Sequence, residues 1–253
     1  MEKLIYPFEV MRITQNYNVG NHRDNSQGSP ADFPIDEAGI DTGRCWFLAP
    51  CDVIVRRIWR TGTNTVWLES VNEVNLANGT NSFVTIKCSH MEDDDLVRIN
   101  VGQVFRKWGR VFREGMDGLA TGNHIHMTVA NCRFIELRNN GWIRNNRGAW
   151  VITNNAIRPE EVFYVDSIRT RVVNNGALNW RVLPNETKEI EYYPRSNYIG
   201  VSIVNALNEL GINSSFAYRS AIAHANGIRE FTGTSAQNTH MLKLLRQGRL
   251  IKP

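Results

Sequence analysis

The run Gly122-Asn123-His124-Ile125-His126-Met127-Thr128-Val129 constrains this chain more than any other. Apolar and polar side chains alternate along it, the period of a β-strand with one buried face. His124 and His126 stand two residues apart on that strand, so both imidazoles project to the same side. The chain has six histidines, and a pair on one strand face carries metal or catalytic chemistry only if other segments supply partners. Similar short runs lie upstream. Val53-Ile54-Val55, Thr65-Val66-Trp67-Leu68 and Ser82-Phe83-Val84-Thr85-Ile86-Lys87-Cys88 are β-branched or alternating and are separated by Gly/Asn turns, with Asn78-Gly79 the strongest turn signal. Amphipathic helices are scarce over residues 1–166. That region reads as a mainly β, antiparallel-sheet domain closing near Arg158-Pro159-Glu160-Glu161-Val162-Phe163-Tyr164.

Residues 167–197 read as a linker, with a possible hairpin about Asn174-Asn175-Gly176. Residues 198–253 change character. Apolar residues fall at helical spacing over Val201 to Leu210, Ser215 to Ala225 and Ser235 to Gln247. Gly211 and Gly227 stand where C-terminal caps belong, Asn213 or Ser214 can cap the second helix, and Thr234-Ser235-Ala236-Gln237 matches a capping box. The expectation is a small three-helix module.

Charge separates the two regions. The first 166 residues hold 18 Lys+Arg against 20 Asp+Glu, whereas residues 167–253 hold 11 against 5. A basic C-terminal third suits an anionic partner such as a wall polymer or nucleic acid; of the two a wall polymer is the expected partner, with no nucleic acid. No apolar run approaches the roughly 20 residues that span a bilayer, so membrane insertion is not expected. The segment Met1-Glu2-Lys3-Leu4-Ile5-Tyr6-Pro7 has neither the apolar stretch nor the small-residue cleavage site of a secretory signal, which leads to the expectation of synthesis in the cytoplasm. Four cysteines without a C-x-x-C spacing argue against a cysteine zinc ribbon.

A hydrolytic zinc site needs three protein ligands and an open position. His22, Asp36 and His126 would make a two-histidine, one-carboxylate set. Hydrolysis also needs a group that takes a proton and one that steadies an oxyanion. His124 shares the face of His126, and His90 ends another strand in Lys87-Cys88-Ser89-His90-Met91. His224 and His240 fall on predicted helices, where surface or packing roles suit them better.

Together these segments resemble the lysostaphin-type (LytM-like) zinc metallopeptidases that cut peptidoglycan peptides. Gly122-Asn123-His124-Ile125-His126 is similar to the family's G-x-H-x-H motif, and Ser89-His90-Met91 to its histidine-bearing strand end. Phe47-Leu48-Ala49-Pro50-Cys51-Asp52-Val53-Ile54-Val55 resembles its A-P-x-D-G-x-V segment. Ile13-Thr14-Gln15-Asn16-Tyr17 resembles its opening strand and Pro159-Glu160-Glu161-Val162-Phe163 its closing segment. The resemblance spans about residues 8–166 in consistent order. It implies a Zn2+ cofactor with Asp36 and His126 as ligands and His90 and His124 as catalytic imidazoles. The first histidine ligand departs from the pattern. Most members have H-x-x-x-D, a register that places Asp32 there, while members with a longer loop suit His22. Residues 198–253 resemble a C-terminal module of phage endolysins and wall hydrolases. The resemblances imply a phage endolysin, a peptidoglycan endopeptidase made in the host cytoplasm, cutting the Gram-positive wall to lyse the host and held there by its C-terminal module; a phage tail-associated wall hydrolase shares the chemistry and differs in context. A metal-free LytM-like protein that binds wall or activates another hydrolase is the alternative.

Overall fold

A computed structural model describes residues 1–23, 32–39, 43–138, 141–145, 148–183, 191–228 and 230–253. The chain divides into two compact units, Met1–Asn185 and Glu186–Pro253. The first is mainly β and the second carries helices, as the sequence patterns predict.

Among the described residues, the first unit is built on a nine-stranded sheet. Its strands run across the sheet in the order Arg171–Asn174, Val10–Gln15, Ile35–Glu37, Ile125–Ala130, Thr85–Ser89, Thr65–Ser70, Val53–Trp59 and Val104–Phe105. Ala156–Ile157 pairs in addition with Ile125–Ala130. Pairing is antiparallel except where Val10–Gln15 meets Arg171–Asn174.

Alternation sorts these strands into two faces. Ile125, Met127 and Val129 join Ile86, Cys88, Val66, Leu68, Val53, Val55, Met11, Ile13 and Ile35 in one core cluster. Burying each large aliphatic side chain there contributes about 1.5–3 kcal/mol. The intervening residues Asp36, Thr65, Trp67, Lys87, Ser89, His126 and Thr128 therefore belong to the other face. Part of that face is covered by an antiparallel hairpin of Trp142–Arg144 and Trp150–Ile152. Trp142, Trp150 and Ile152 pack there with Trp67 and Ala130. The Trp67 ring meets Trp142 edge to face at 5.9 Å and Trp150 at 6.0 Å. The remainder of the face stays open as a cleft.

The expected boundary at 166 and the linker over 167–197 require correction. Arg171–Asn174 pairs in parallel with Val10–Gln15, and Arg181–Leu183 pairs in parallel with Tyr164–Asp166, so both strands belong to the first unit. They do not form the hairpin expected about Asn174-Asn175-Gly176. Parallel partners are not joined by a tight turn, and Arg171–Asn174 is exposed along its length, so neither hairpin nor alternation marks it in the sequence.

In the second unit, helices Ile203–Glu209, Phe216–Ala225 and Ser235–Arg246 bury Ile203, Leu207, Ile222, Met241 and Leu245 together with Tyr193 and Leu250. Gly211 and Gly227 follow the first two helices with φ of +68° and +80°, the left-handed conformation of a helix end. The second helix is capped by Ser215, which accepts from the Tyr218 amide, one residue beyond the expected Ser214. Asn213 instead accepts from the Ser215 amide. Thr234 and Gln237 form the expected capping box. None of the described helices is long and apolar enough to cross a membrane.

Thr234→Ala is expected to destabilise the helix Ser235–Arg246 by about 1 kcal/mol, and Thr234→Ser to leave it near wild type. Amide hydrogen exchange across that helix in the full chain measures the difference.

Candidate metal centre and its cleft

Register brings the first two groups together. His126 lies opposite Asp36 on one neighbouring strand and opposite Ser89 on the other. His126 Nδ1 stands 3.0 Å from Asp36 Oδ1. The third group comes from outside the sheet. Gly20–Arg23 forms a single helical turn, and His22 Nε2 reaches 3.3 Å from the same Asp36 oxygen. The His22 and His126 rings meet edge to face with centroids 4.9 Å apart. His22, Asp36 and His126 each offer a donor atom within 4.8 Å of the others. Asp32 is buried along the same cleft but outside this trio.

The donor spacing fits zinc. Ligands about 2.0–2.1 Å from one ion in a tetrahedron lie roughly 3.3–3.4 Å apart, close to the separations about Asp36 Oδ1. The protonation states also fit. Burial, with the Lys87 charge nearby, pulls His126 down to about 3 against the opposing pull of Asp36. Burial alone would raise Asp36, but hydrogen bonds from His126 and His22 outweigh it and hold that carboxyl well below the usual range. A neutral His126 and an ionised Asp36 are the forms that bind a cation.

His90 and His124 stand beside the trio. Their ring centroids are 4.6 Å apart, and His90 is 6.0 Å from His126. His124 Nε2 lies 3.7 Å from Asp36 Oδ1. Each Nδ1 faces a carbonyl oxygen, that of Asp117 at 2.7 Å for His90 and of Gly122 at 2.8 Å for His124. A carbonyl only accepts, so both Nδ1 atoms carry the proton and each Nε2 keeps its lone pair. Burial lowers the His90 pKa from its ordinary value, partly offset by the Asp117 carbonyl.

His90 also holds a left-handed backbone with φ of +81°. Its amide donates to the Asn64 carbonyl at 3.0 Å, and its own carbonyl accepts from the Asp117 amide at 3.1 Å. With the Asp117 carbonyl on the ring, three hydrogen bonds over-determine this conformation, the pattern expected where strain serves a site. Gly115 lies against the same turn. A Cβ on it would come 2.4 Å from the His90 carbonyl oxygen, so the close approach requires glycine.

The five residues open into a cavity of about 640 Å³. Sequence reasoning did not single out several other groups that line it. Lys87 is fully buried beneath the site, and its ammonium donates to the Trp150 carbonyl at 2.6 Å. Burial lowers its pKa, and the Asp32 carboxylate opposes that shift. Asp32 is raised by its own burial, with Lys87 and His22 opposing. The period-2 register with Ser89 already placed Lys87 on the histidine face, and that signal was available in the sequence. Trp59, Arg144 and Trp150 form another part of the wall. His224 and His240 are exposed on the helices of the second unit.

No protein-family model matches the chain. Over 178 residues it is 27% identical to Morphogenesis protein 1 of Bacillus phage B103, a match that covers 70% of this chain and 43% of that protein. The chain thus spans less than half the length of that curated relative. Among solved structures, it is similar to a zinc containing peptidase from Vibrio cholerae, with a TM-score of 0.33 and 14% identity over 61% of this chain and 41% of that one. It is also similar to Helicobacter pylori Csd3, with a TM-score of 0.32 and 19% identity over 51% of this chain and 30% of the other.

Purified protein loaded with Zn2+ is expected to hold one ion per chain by atomic absorption. His22→Ala, Asp36→Ala and His126→Ala should each weaken retention by more than about 100-fold, beyond the 10- to 100-fold typical of residues that merely support ligands. Asp32→Ala should weaken retention far less than loss of any of these three, and only through the Lys87 charge it leaves unopposed.

Proposed function

We propose that this chain is a zinc-dependent endopeptidase of Gram-positive peptidoglycan, belonging to a phage. One observation carries the reading: His22, Asp36 and His126 converge with His90 and His124 in one open cleft, each catalytic imidazole fixed with a free Nε2. The ordered series of lysostaphin-type motifs in the sequence supports the substrate class.

When bound, Zn2+ supplies Lewis acidity toward a peptide carbonyl and lowers the pKa of water. The chain's own residues account for the rest. Asp36 and the two histidines would hold the cation with one negative charge among three ligands, which would leave its net charge positive. The Nε2 atom of His124 or His90 is placed to accept a proton from water, and the partner imidazole, after taking a proton from solvent at its own Nε2, to donate a hydrogen bond to the oxyanion. The departing amine must gain a proton, and the imidazole that accepted one is the group positioned to return it. The basic C-terminal unit would hold the enzyme on the wall and raise its effective concentration at the substrate.

His90→Ala and His124→Ala are expected to keep the metal and the fold while hydrolysis of isolated walls falls about 10²- to 10⁴-fold. Release of new amino groups, measured beside metal content, checks this. Wild-type protein that holds no metal and releases no amino groups yet sediments with walls would instead establish a metal-free wall-binding protein.

Within the phage setting, the relative's designation as a morphogenesis protein favours a wall hydrolase carried on the particle over an endolysin that accumulates for lysis. The particle-borne form is expected to co-purify with intact virions in immunoblots. An endolysin would be found only in the soluble fraction of infected cells.

A further inference from the structure

The cleft has a second chemical end. Arg144 closes the strand Trp142–Arg144 and lines the cavity beside Trp59, Gly62 and Trp150. Its guanidinium carbon lies 5.8 Å from the Trp59 ring and 5.7 Å from the Trp150 ring, and those rings meet edge to face at 5.1 Å. The stem is fixed, because Nε donates to the Gly148 carbonyl at 2.9 Å. The fork is not covered by neighbouring side chains from the flanking glycines. A Cβ on either Gly62 or Gly148 would come 3.6 Å from the same Arg144 terminal nitrogen, so both segments bring only backbone beside it.

Among the described residues, no carboxylate pairs with Arg144. Of the described residues, the two carboxylates lining the cleft are engaged elsewhere, Asp36 by the histidines and Asp32 by the fields of Lys87 and His22. An exposed guanidinium seated on aromatic rings, anchored at Nε and unpaired at its fork, suits a planar carboxylate, which it can meet with two parallel hydrogen bonds.

We infer that Arg144, seated on Trp59 and Trp150, is a specificity-determining residue that takes a free carboxylate of the peptide lying in the cleft. The inference rests on the endopeptidase reading for its ligand being a peptide. The carboxylate is either an acidic side chain or a C-terminal carboxylate, since the fork meets the same group in both.

The test uses the full chain and four alanine-containing tetrapeptides. One has a glutamate side chain and a free C-terminus, one is amidated at the C-terminus, one carries glutamine for glutamate, and one has both changes. Calorimetric binding to the zinc-loaded protein is read first, so that absence of hydrolysis does not obscure the result. Masking the recognised carboxylate should weaken wild-type binding about tenfold or more, and the masked position that does so identifies its source. Arg144→Gln keeps a donor for the Gly148 carbonyl and removes the charge. It should bind all four peptides alike, and any change in hydrolysis should fall in KM rather than in kcat. Arg144→Lys restores charge without the fork and should recover part of the discrimination. It also carries the test if Arg144→Gln fails to fold by circular dichroism.

Equal wild-type binding of all four peptides would overturn the inference, as would full discrimination in a folded Arg144 variant. Glycerol phosphate displacing the peptide through Arg144, with no carboxylate preference, would assign the fork to a phosphate polymer and overturn it equally. Carboxylate-dependent binding by a metal-loaded protein that releases no amino groups from isolated walls would leave the inference standing and remove the endopeptidase reading.

Discussion

The site depends on the register of one strand. Ile125–Ala130 lies between Ile35–Glu37 and Thr85–Ser89 and pairs antiparallel with both. A shift of one residue in either pairing would send His126 or Asp36 into the aliphatic core. That register is fixed by the opposite face, where Ile125, Met127 and Val129 are wholly buried against Ile35, Ile86 and Cys88. The apolar face therefore positions the polar one. Ser89 opposite His126 also places His90 one residue beyond the strand end, where the chain turns back over the cleft.

Much of this was legible in the sequence because it is local. Strict alternation placed His124 and His126 on one side, and the apolar partners of each strand stood out by the same period. Thr234 with Gln237 announced a helix start through residue types three apart. His22 was harder. It reaches Asp36 across fourteen positions of sequence by way of a helical turn with no apolar periodicity, so the need for another imidazole and the resemblance to longer-loop members pointed to it, not local pattern. Asp32 has the commoner spacing to Asp36, yet its carboxylate interacts with Lys87 rather than joining the trio.

The least legible parts are those built by pairing between distant segments. Arg171–Asn174 joins the sheet beside the strand that opens it, and nothing in its exposed sequence records that neighbour. The Trp142–Ile152 hairpin reads from sequence as a few aromatic residues among asparagines. Its position over the cleft follows from Trp142 and Trp150 finding Trp67 on a strand some seventy-five residues earlier.

That hairpin links packing to chemistry. Trp142 and Trp150 bury Lys87, whose ammonium is satisfied by the Trp150 carbonyl. An ammonium beneath a cation site would repel the cation if it stood alone, and Asp32 is the carboxylate placed to offset it. Without Asp32, the lysine would add a positive charge to a site that must attract one. Without Lys87, Asp32 would remain a buried carboxylate favouring its protonated form. The pair thus keeps the sheet face polar without giving it a net charge, and the attraction for a cation is left to Asp36. Burial then acts on the two kinds of ligand in useful directions: it keeps His126 neutral, while the hydrogen bonds to Asp36 are strong enough to keep that carboxylate ionised. A neutral imidazole and a charged carboxylate are in place before any ion arrives, so binding a cation there requires no net release of a proton from His126 or Asp36, only a shift of the His126 proton from the nitrogen facing Asp36 to its other ring nitrogen.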